Sequence, residues 1–240
     1  MDESNRHKPD YAARLQEMRE RFRPEQLQLL EKLNRSDTKH LVRLPILVIP
    51  ETWNNDELVY SPLPWSYAWA APYAKALVVH QLTQVFGAYE HGRLVRWGPI
   101  SSGGPTNITP SGLFYLTWKS EGRPSTVDPD WFMPWYFNFE NDFGLSLHQY
   151  TLPGYPASHA CVRLLKRDAQ WLYAWGEQWE LSDNGQEVFA AGTPLLIVGH
   201  YNFNAPPPWR SLAQLAQSVE LPPNPPLEHN PSELSGPAGP

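Results

Sequence analysis

Apolar positions in the first part of the chain recur at helical spacing. Leu15, Met18 and Phe22 fall three and four apart, and Leu27, Leu29, Leu30 and Leu33 repeat the pattern after Pro24. That period lays apolar side chains along one side of a helix. Proline is well suited to open a helix as its first residue, so two helices, divided at Pro24, are predicted over residues 11–34. Asn34-Arg35-Ser36-Asp37 is a turn cluster. Residues 41–50 are apolar and partly β-branched, and a strand is predicted there. Residues 51–72 mix prolines with Trp53, Tyr60, Trp65, Tyr67 and Trp69. Proline discourages both a central strand and a helix, so this stretch reads as an extended crossing segment with one strand near residues 58–60.

From Ala76 the pattern changes to strands. Residues 77–80, 83–89, 93–100 and 113–117 are apolar and β-branched, and Glu90-His91-Gly92 is a hairpin turn. Residues 121–130 read as a polar loop. Two apolar segments follow, at 131–139 and 144–148, and the second ends on His148. Residues 162–169 are predicted to begin helical, and Trp171, Trp175 and Trp179 continue in apolar steps. Asp183-Asn184-Gly185 is a turn. Residues 188–189 and 194–198 read as final strands, the second buried on both faces. From Ala205 onward lie ten of the 26 prolines. One amphipathic stretch, 212–219, predicts a short helix; the rest lacks the apolar content for a core and reads as extended or disordered, a spacer, a partner ligand or an inert tail. The chain thus divides into a helical region (1–57), a mainly β domain (58–204) and a Pro-rich extension (205–240).

Charge and composition narrow the function classes. A net charge of -6 with no basic stripe excludes a nucleic-acid binder. No run of about 18 apolar residues exists, so no membrane span is predicted. The polar start, Met1-Asp2-Glu3-Ser4, shows no signal peptide. That leaves a cytosolic protein or one whose leader has been removed. The 11 tryptophans serve core packing or a surface for sugars and peptides.

The candidate chemistry lies in His148-Gln149-Tyr150 … Ser158-His159-Ala160-Cys161-Val162-Arg163. Cys161 is the single cysteine, so no internal disulfide exists. It reads either as a small buried hydrophobe or as a nucleophile. A nucleophilic thiol needs a base, and histidine suits that task; His148 and His159 are both near. One cysteine and two histidines at this spacing make no four-ligand zinc pattern, so neither a metal nor a cofactor is expected.

Ser158-His159-Ala160-Cys161-Val162-Arg163-Leu164 resembles the active-site signature of the YkuD-type L,D-transpeptidases, which cross-link bacterial peptidoglycan. His148 stands as that motif's upstream histidine. The order of the preceding hairpin, the Ser101-Ser102-Gly103-Gly104 loop, the Thr109-Pro110-Ser111-Gly112 turn and the later Gly192-Thr193-Pro194-Leu195 strand is similar too, so the resemblance runs from about Ala76 to His200. Two features depart from the pattern: Ala160 replaces a glycine, and the spacer from His148 to Ser158 is short. Residues 26–50 are also similar to the latter part of a LysM glycan-binding module; the other reading is a helical appendage on the main domain.

The resemblance implies a YkuD-like β-sandwich with a short helix after the motif. It implies Cys161 as nucleophile, forming a thioester with a stem peptide. His148 is the leading base, oriented by the carbonyl of Gln149, and His159 ranks second. Backbone N–H groups of Ala160 and Cys161 would hold the oxyanion. Alanine at 160 then means either an ordinary backbone conformation or tolerated strain. Ser158 would fix the loop or help bind substrate. Arg163 would bind a stem carboxylate or support the loop. A 3-3 cross-link is favoured and a 1-3 link remains open. The alternatives are an L,D-carboxypeptidase or hydrolase that detaches wall-anchored proteins, and a non-catalytic peptidoglycan-binding protein. The expected partners are peptidoglycan stem peptides, the expected state a monomer, and the expected location the periplasm or cell envelope of a bacterium.

Overall fold

Strand alternation sorts most of the chain around one curled sheet. The computed structural model describes residues 10–125, 128, 130–211, 218–223 and 225. The strands are β1 (Ala76–His80), β2 (Val85–Glu90), β3 (Arg93–Ser101), β4 (Gly112–Tyr115), β5 (Lys119–Pro124), β6 (Phe132–Glu140), β7 (Leu145–Gln149), β8 (Val162–Leu164), β9 (Glu180–Leu181), β10 (Val188–Ala190) and β11 (Pro194–Val198). All but β9 and β10 join one sheet in the order β4-β11-β1-β2-β3-β8-β7-β6-β5. Its pairings are antiparallel except β1 with β11 and β7 with β8. β4 and β5 stand at opposite ends of that order, yet only residues 116–118 separate them in the chain. The sheet must therefore curl until its ends meet. At the seam the Thr117 N–H donates to the Asn138 carbonyl at 2.9 Å, and the Asn138 N–H to the Trp118 carbonyl at 2.9 Å. The mainly β sandwich expected from the sequence is this one sheet folded on itself.

The core follows the two-residue period. Leu77 and Val79, Phe86 and Ala88, Leu145 and Leu147, and Leu195 and Ile197 point inward, closed over by Ala169 and Leu172 of helix α4 (Lys166–Trp175). The other helices are α1 (Tyr11–Arg21), α2 (Pro24–Asn34) and α3 (Thr38–Leu41). On the other face Val78, Leu196 and Val198 pack on Tyr67 and Ala70 of the crossing segment. Burial on both faces is why β1 and β11 read as unbroken apolar runs.

Helices α1 and α2 meet at Pro24 as the periodicity predicted. Four expectations need correction. Residues 41–50 are not a strand: the Asn34 side chain accepts from the Val48 N–H at 2.7 Å and donates to its carbonyl at 2.9 Å, so these backbone groups are satisfied without a neighbouring strand. Residues 10–57 thus hold three helices and no strand, and the LysM likeness gains no support. Residues 58–60 lie in a 3-10 turn, Glu57–Tyr60, where the Asp56 carboxylate accepts from the Leu58 N–H at 2.9 Å. The first four residues of the expected polar loop, 121–124, belong to β5, an edge strand only partly covered on either face, which is why its sequence is polar. Residues 162–164 form β8 before the helix starts. Parts of the Pro-rich extension are packed against the domain: Trp209 is buried, the Val219 N–H donates to the Pro62 carbonyl at 2.7 Å, and the Tyr67 hydroxyl to the Pro222 carbonyl at 2.6 Å. The helix predicted at 212–219 falls largely on 212–217, outside the described residues.

The helical region clamps the loop that follows β7. The Asp37 N–H donates to the Leu152 carbonyl at 2.9 Å, and the Leu152 N–H donates to the Asp37 carboxylate at 2.8 Å. Arg35 anchors the same corner. It is 3% exposed, its Nε donates to the Thr83 carbonyl at 2.9 Å, and its guanidinium lies 5.6 Å from the ring centres of both Trp97 and Trp209.

Candidate active site

Because Leu145 and Leu147 point into the core, Ser146 and His148 point out of the opposite face of β7. β8 runs parallel beside it, pairing Leu147 with Val162 and His148 with Arg163. That register sets Cys161, the residue before β8, beside Ser146, whose Oγ lies 3.5 Å from the thiol sulfur. Cys161, His148, Ser158, His159 and Arg163 line one cleft, with Trp131 and Phe143 at its rim.

Nδ1 of His148 lies 3.0 Å from the carbonyl oxygen of Gln149. A carbonyl only accepts, so in the neutral ring Nδ1 carries the proton and Nε2 keeps a free lone pair. Burial holds the His148 pKa down to about 4; the Gln149 carbonyl opposes this and the Arg163 charge adds to it. Burial pushes the Cys161 thiol up, while the Ser146 hydroxyl and backbone N–H and the Arg163 charge pull it back. The resting pair at neutral pH is therefore thiol and neutral imidazole, not an ion pair.

The backbone before the thiol is built by a neighbouring loop. Ala160 has φ +69°, left-handed for a residue with a Cβ. Of the two options open from the sequence, strain is the one found. The strain is held by Thr109, which donates its hydroxyl to the Ala160 carbonyl at 2.8 Å and accepts from the Gly103 N–H at 2.8 Å. The Ser158 hydroxyl donates to the Cys161 carbonyl, and its backbone pairs with the loop through Ser102 and Gly104 at 3.0 and 2.8 Å. Ser158 thus closes the turn that carries the thiol. His159 is exposed, its ring centre 5.0 Å from that of Trp131. Arg163 lies 4.6 Å over the ring of Tyr150 and has no ion pair among the described residues.

A model of the L,D-transpeptidase catalytic domain, YkuD, matches residues 74–197, more than half of the chain. The chain belongs to the YkuD family of L,D-transpeptidase catalytic domains. Among solved structures this YkuD chain is similar to an L,D-transpeptidase from Stackebrandtia nassauensis, at 22% identity over 55% of this chain and 58% of that one, with a TM-score of 0.43. It is similar to an L,D-transpeptidase from Xylanimonas cellulosilytica at 23% identity, 72% and 78% coverage and a TM-score of 0.46. It is also similar to L,D-transpeptidase 1 of Mycobacterium tuberculosis at 19% identity, 52% and 62% coverage and a TM-score of 0.39. The match spans less than two thirds of the first and third of these. No curated protein matches the chain. Membership rests on the family model.

The YkuD span contains every candidate residue and leaves the helical region and the extension outside it. Reasoning from the sequence missed Ser146, Thr109 and Tyr150 as members of this site; Trp131 belongs to the aromatic segment that it weighed between core packing and a groove wall. Ser146 carried a usable signal: it stands two residues before His148 in a strand, hence on the same face.

Proposed function

We propose that this YkuD domain is a peptidoglycan L,D-transpeptidase with Cys161 as nucleophile and His148 as base. The observation that carries the reading is the His148 tautomer fixed by the Gln149 carbonyl at 3.0 Å, in one cleft with the thiol. Sγ attacks an amide carbonyl of a stem peptide while its proton passes to Nε2 of His148. The carbon–nitrogen bond then breaks, and His148 returns the proton to the leaving amine. An acceptor amine attacks the thioester, gives its proton to His148, and the thiol is restored as sulfur leaves and is reprotonated. Among the described residues the N–H groups of Ala160 and Cys161 donate to no other group, which fits them to hold the oxyanion. Arg163 suits a stem carboxylate. His159 belongs to the rim with Trp131 and is not needed as base.

The favoured product is a 3-3 cross-link, with a 1-3 link open to the same chemistry. Stem peptides serve as donor and acceptor, in the periplasm or cell envelope. No helix among the described residues is long and apolar enough to cross a membrane.

The test is mass spectrometry of tetrapeptide muropeptides incubated with the protein or with Cys161→Ala. Dimers made only by the intact protein support the transpeptidase, and fragmentation assigns the linkage. Shortened monomers without dimers point to an L,D-carboxypeptidase or hydrolase. Full activity of Cys161→Ala overturns the mechanism.

A further inference from the structure

Beneath the thiol lies a chain of buried polar side chains that the mechanism above does not use. Thr117 donates its hydroxyl to Oδ1 of Asn138 at 2.6 Å. That fixes which way the amide faces, and its Nδ2 donates to the Tyr136 hydroxyl at 3.0 Å and to the Glu140 carbonyl at 3.0 Å. Tyr136 in turn donates its hydroxyl to the Gly144 carbonyl at 3.1 Å, and its oxygen is within hydrogen-bonding reach of the Ser146 hydroxyl as an acceptor. Ser146 ends the chain with its Oγ 3.5 Å from Sγ of Cys161. All four members are buried, Asn138 and Ser146 fully.

A polar chain in the interior is costly unless every member is satisfied. Donation runs from Thr117 to Asn138 and from Asn138 to Tyr136, whose own proton goes to the Gly144 carbonyl, while the Ser146 hydroxyl beside it points its proton at the Cys161 sulfur. The Tyr136 branch ends in a carbonyl acceptor, and the Ser146 hydroxyl next to it is the donor aimed at the thiol. Tyr136 and Ser146 each have one proton. Beside a neutral thiol, Ser146 chooses between two weak acceptors. Beside a thiolate its proton goes to sulfur, and Tyr136 is free to turn its own proton from Gly144 to the Ser146 oxygen. The chain is thus built to respond to negative charge on sulfur.

We propose that Ser146 is a further catalytic residue, whose hydroxyl, oriented by Tyr136, Asn138 and Thr117, holds the Cys161 sulfur and stabilises its anionic form. The inference rests on Cys161 as the nucleophile. It gives sulfur a partner both when it is deprotonated to attack and when it leaves the thioester. It also explains a polar residue, rather than an apolar one, at the fully buried position between Leu145 and Leu147. The Ser146 hydroxyl acts to lower the thiol pKa, in the sense the geometry requires.

The test is the pH profile of Cys161 alkylation by iodoacetamide, followed by intact mass. The label has one possible cysteine, and the reaction needs no peptidoglycan, so it is independent of whether cross-links or hydrolysis products are made. Ser146→Ala is expected to raise the midpoint by about one pH unit and slow alkylation at neutral pH about tenfold, the scale of one lost hydrogen bond to a charge. An unchanged midpoint in the folded variant overturns the proposal. Should Ser146→Ala not fold, Tyr136→Phe decides: a smaller shift in the same direction supports the proposal, and a midpoint equal to the parent's overturns it.

Discussion

Thr109 donates its hydroxyl to the carbonyl oxygen of Ala160 at 2.8 Å, and so fixes a left-handed alanine immediately before Cys161. The bond crosses from the loop after β3 to the turn before β8. It holds a backbone that the alanine would not choose alone. Glycine at 160 relieves the strain but adds freedom to the unfolded chain. We expect Ala160→Gly to stabilise the protein by about 0.5–1 kcal/mol, read as a higher urea midpoint. Ala160→Val, β-branched at the same φ, is expected to lower it. A reversed order for the two variants contradicts a strained Ala160.

Thr109→Val keeps the shape and removes the hydroxyl. The Gly103 N–H and the Ala160 carbonyl both lose their partner, at a cost of about 1–3 kcal/mol. Cross-linking activity should fall along with stability. Unchanged activity would show that the alanine holds its conformation without the threonine.

Gly103→Ala strikes the same joint from the other side. A Cβ at 103 would lie 2.0 Å from the Asn107 carbonyl oxygen and 2.5 Å from the Thr109 nitrogen. Both are backbone atoms, so the loop must move and carry Thr109 away from Ala160. The expected result is loss of activity and a drop of about 1–3 kcal/mol or more in stability. Gly185→Ala makes a useful contrast, since nothing lies within 4 Å of its Cβ, although its φ of +70° still disfavours a side chain.

His148 makes stability depend on pH with a definite sign. Its folded pKa is held near 4, against 6.5 when unfolded. Between those values the unfolded chain takes up a proton that the folded chain refuses. The contribution is therefore complete above pH 6.5, is lost as pH falls toward 4, and levels off below that. Its full size is up to roughly 3 kcal/mol. His80, also held near 4 by burial and by the Arg35 charge, acts in the same sense. His148→Gln should flatten the fall in urea midpoint between neutral pH and about 4.5 without abolishing it. An unaltered slope contradicts a neutral, buried His148. With His148 as the proposed base, which must be neutral to act, the acid limb of kcat/KM in a cross-linking assay of the parent is expected near 4 rather than 6.5.

Arg35→Ala should be the most destabilising single change in the helical region. It opens a space between Trp97 and Trp209, leaves the Thr83 carbonyl without its donor and leaves the Lys32 carbonyl only the long backbone bond from residue 35. The combined cost is roughly 3–5 kcal/mol. Arg35→Met keeps most of the volume and should cost less. Equal denaturation midpoints for the two variants would assign the whole effect to the hydrogen bonds.

The parts legible in the sequence were those governed by period and by turn chemistry. β1 and β11 were visible because both faces are buried, and the β2–β3 turn because His91 and Gly92 both take left-handed angles that such a hairpin requires. β5 was hidden, since an edge strand with both faces half open has no apolar side. Residues 41–50 misled for the opposite reason: they are apolar, but the Asn34 side chain, not a neighbouring strand, takes the backbone bonds of Val48. In the site, His148 and Cys161 were legible as chemistry. Ser146 was legible only as position, and Thr109, at the end of a loop, gave no local signal of its contact 51 residues on.

Strand β11 lies between β1 and β4, pairing Leu195 with both Leu77 and Phe114. Among the described residues, the strand made last therefore fills the interior of the sheet rather than an edge. Until it arrives, β1 and β4 each present an unpaired side of apolar backbone, the kind of surface that recruits strands from other chains. Pairings so far apart in sequence also form slowly. Synthesis of this protein thus contains an interval in which nearly all of its sheet exists but two inner seams lie open, and its yield in any host will depend on how that interval is guarded.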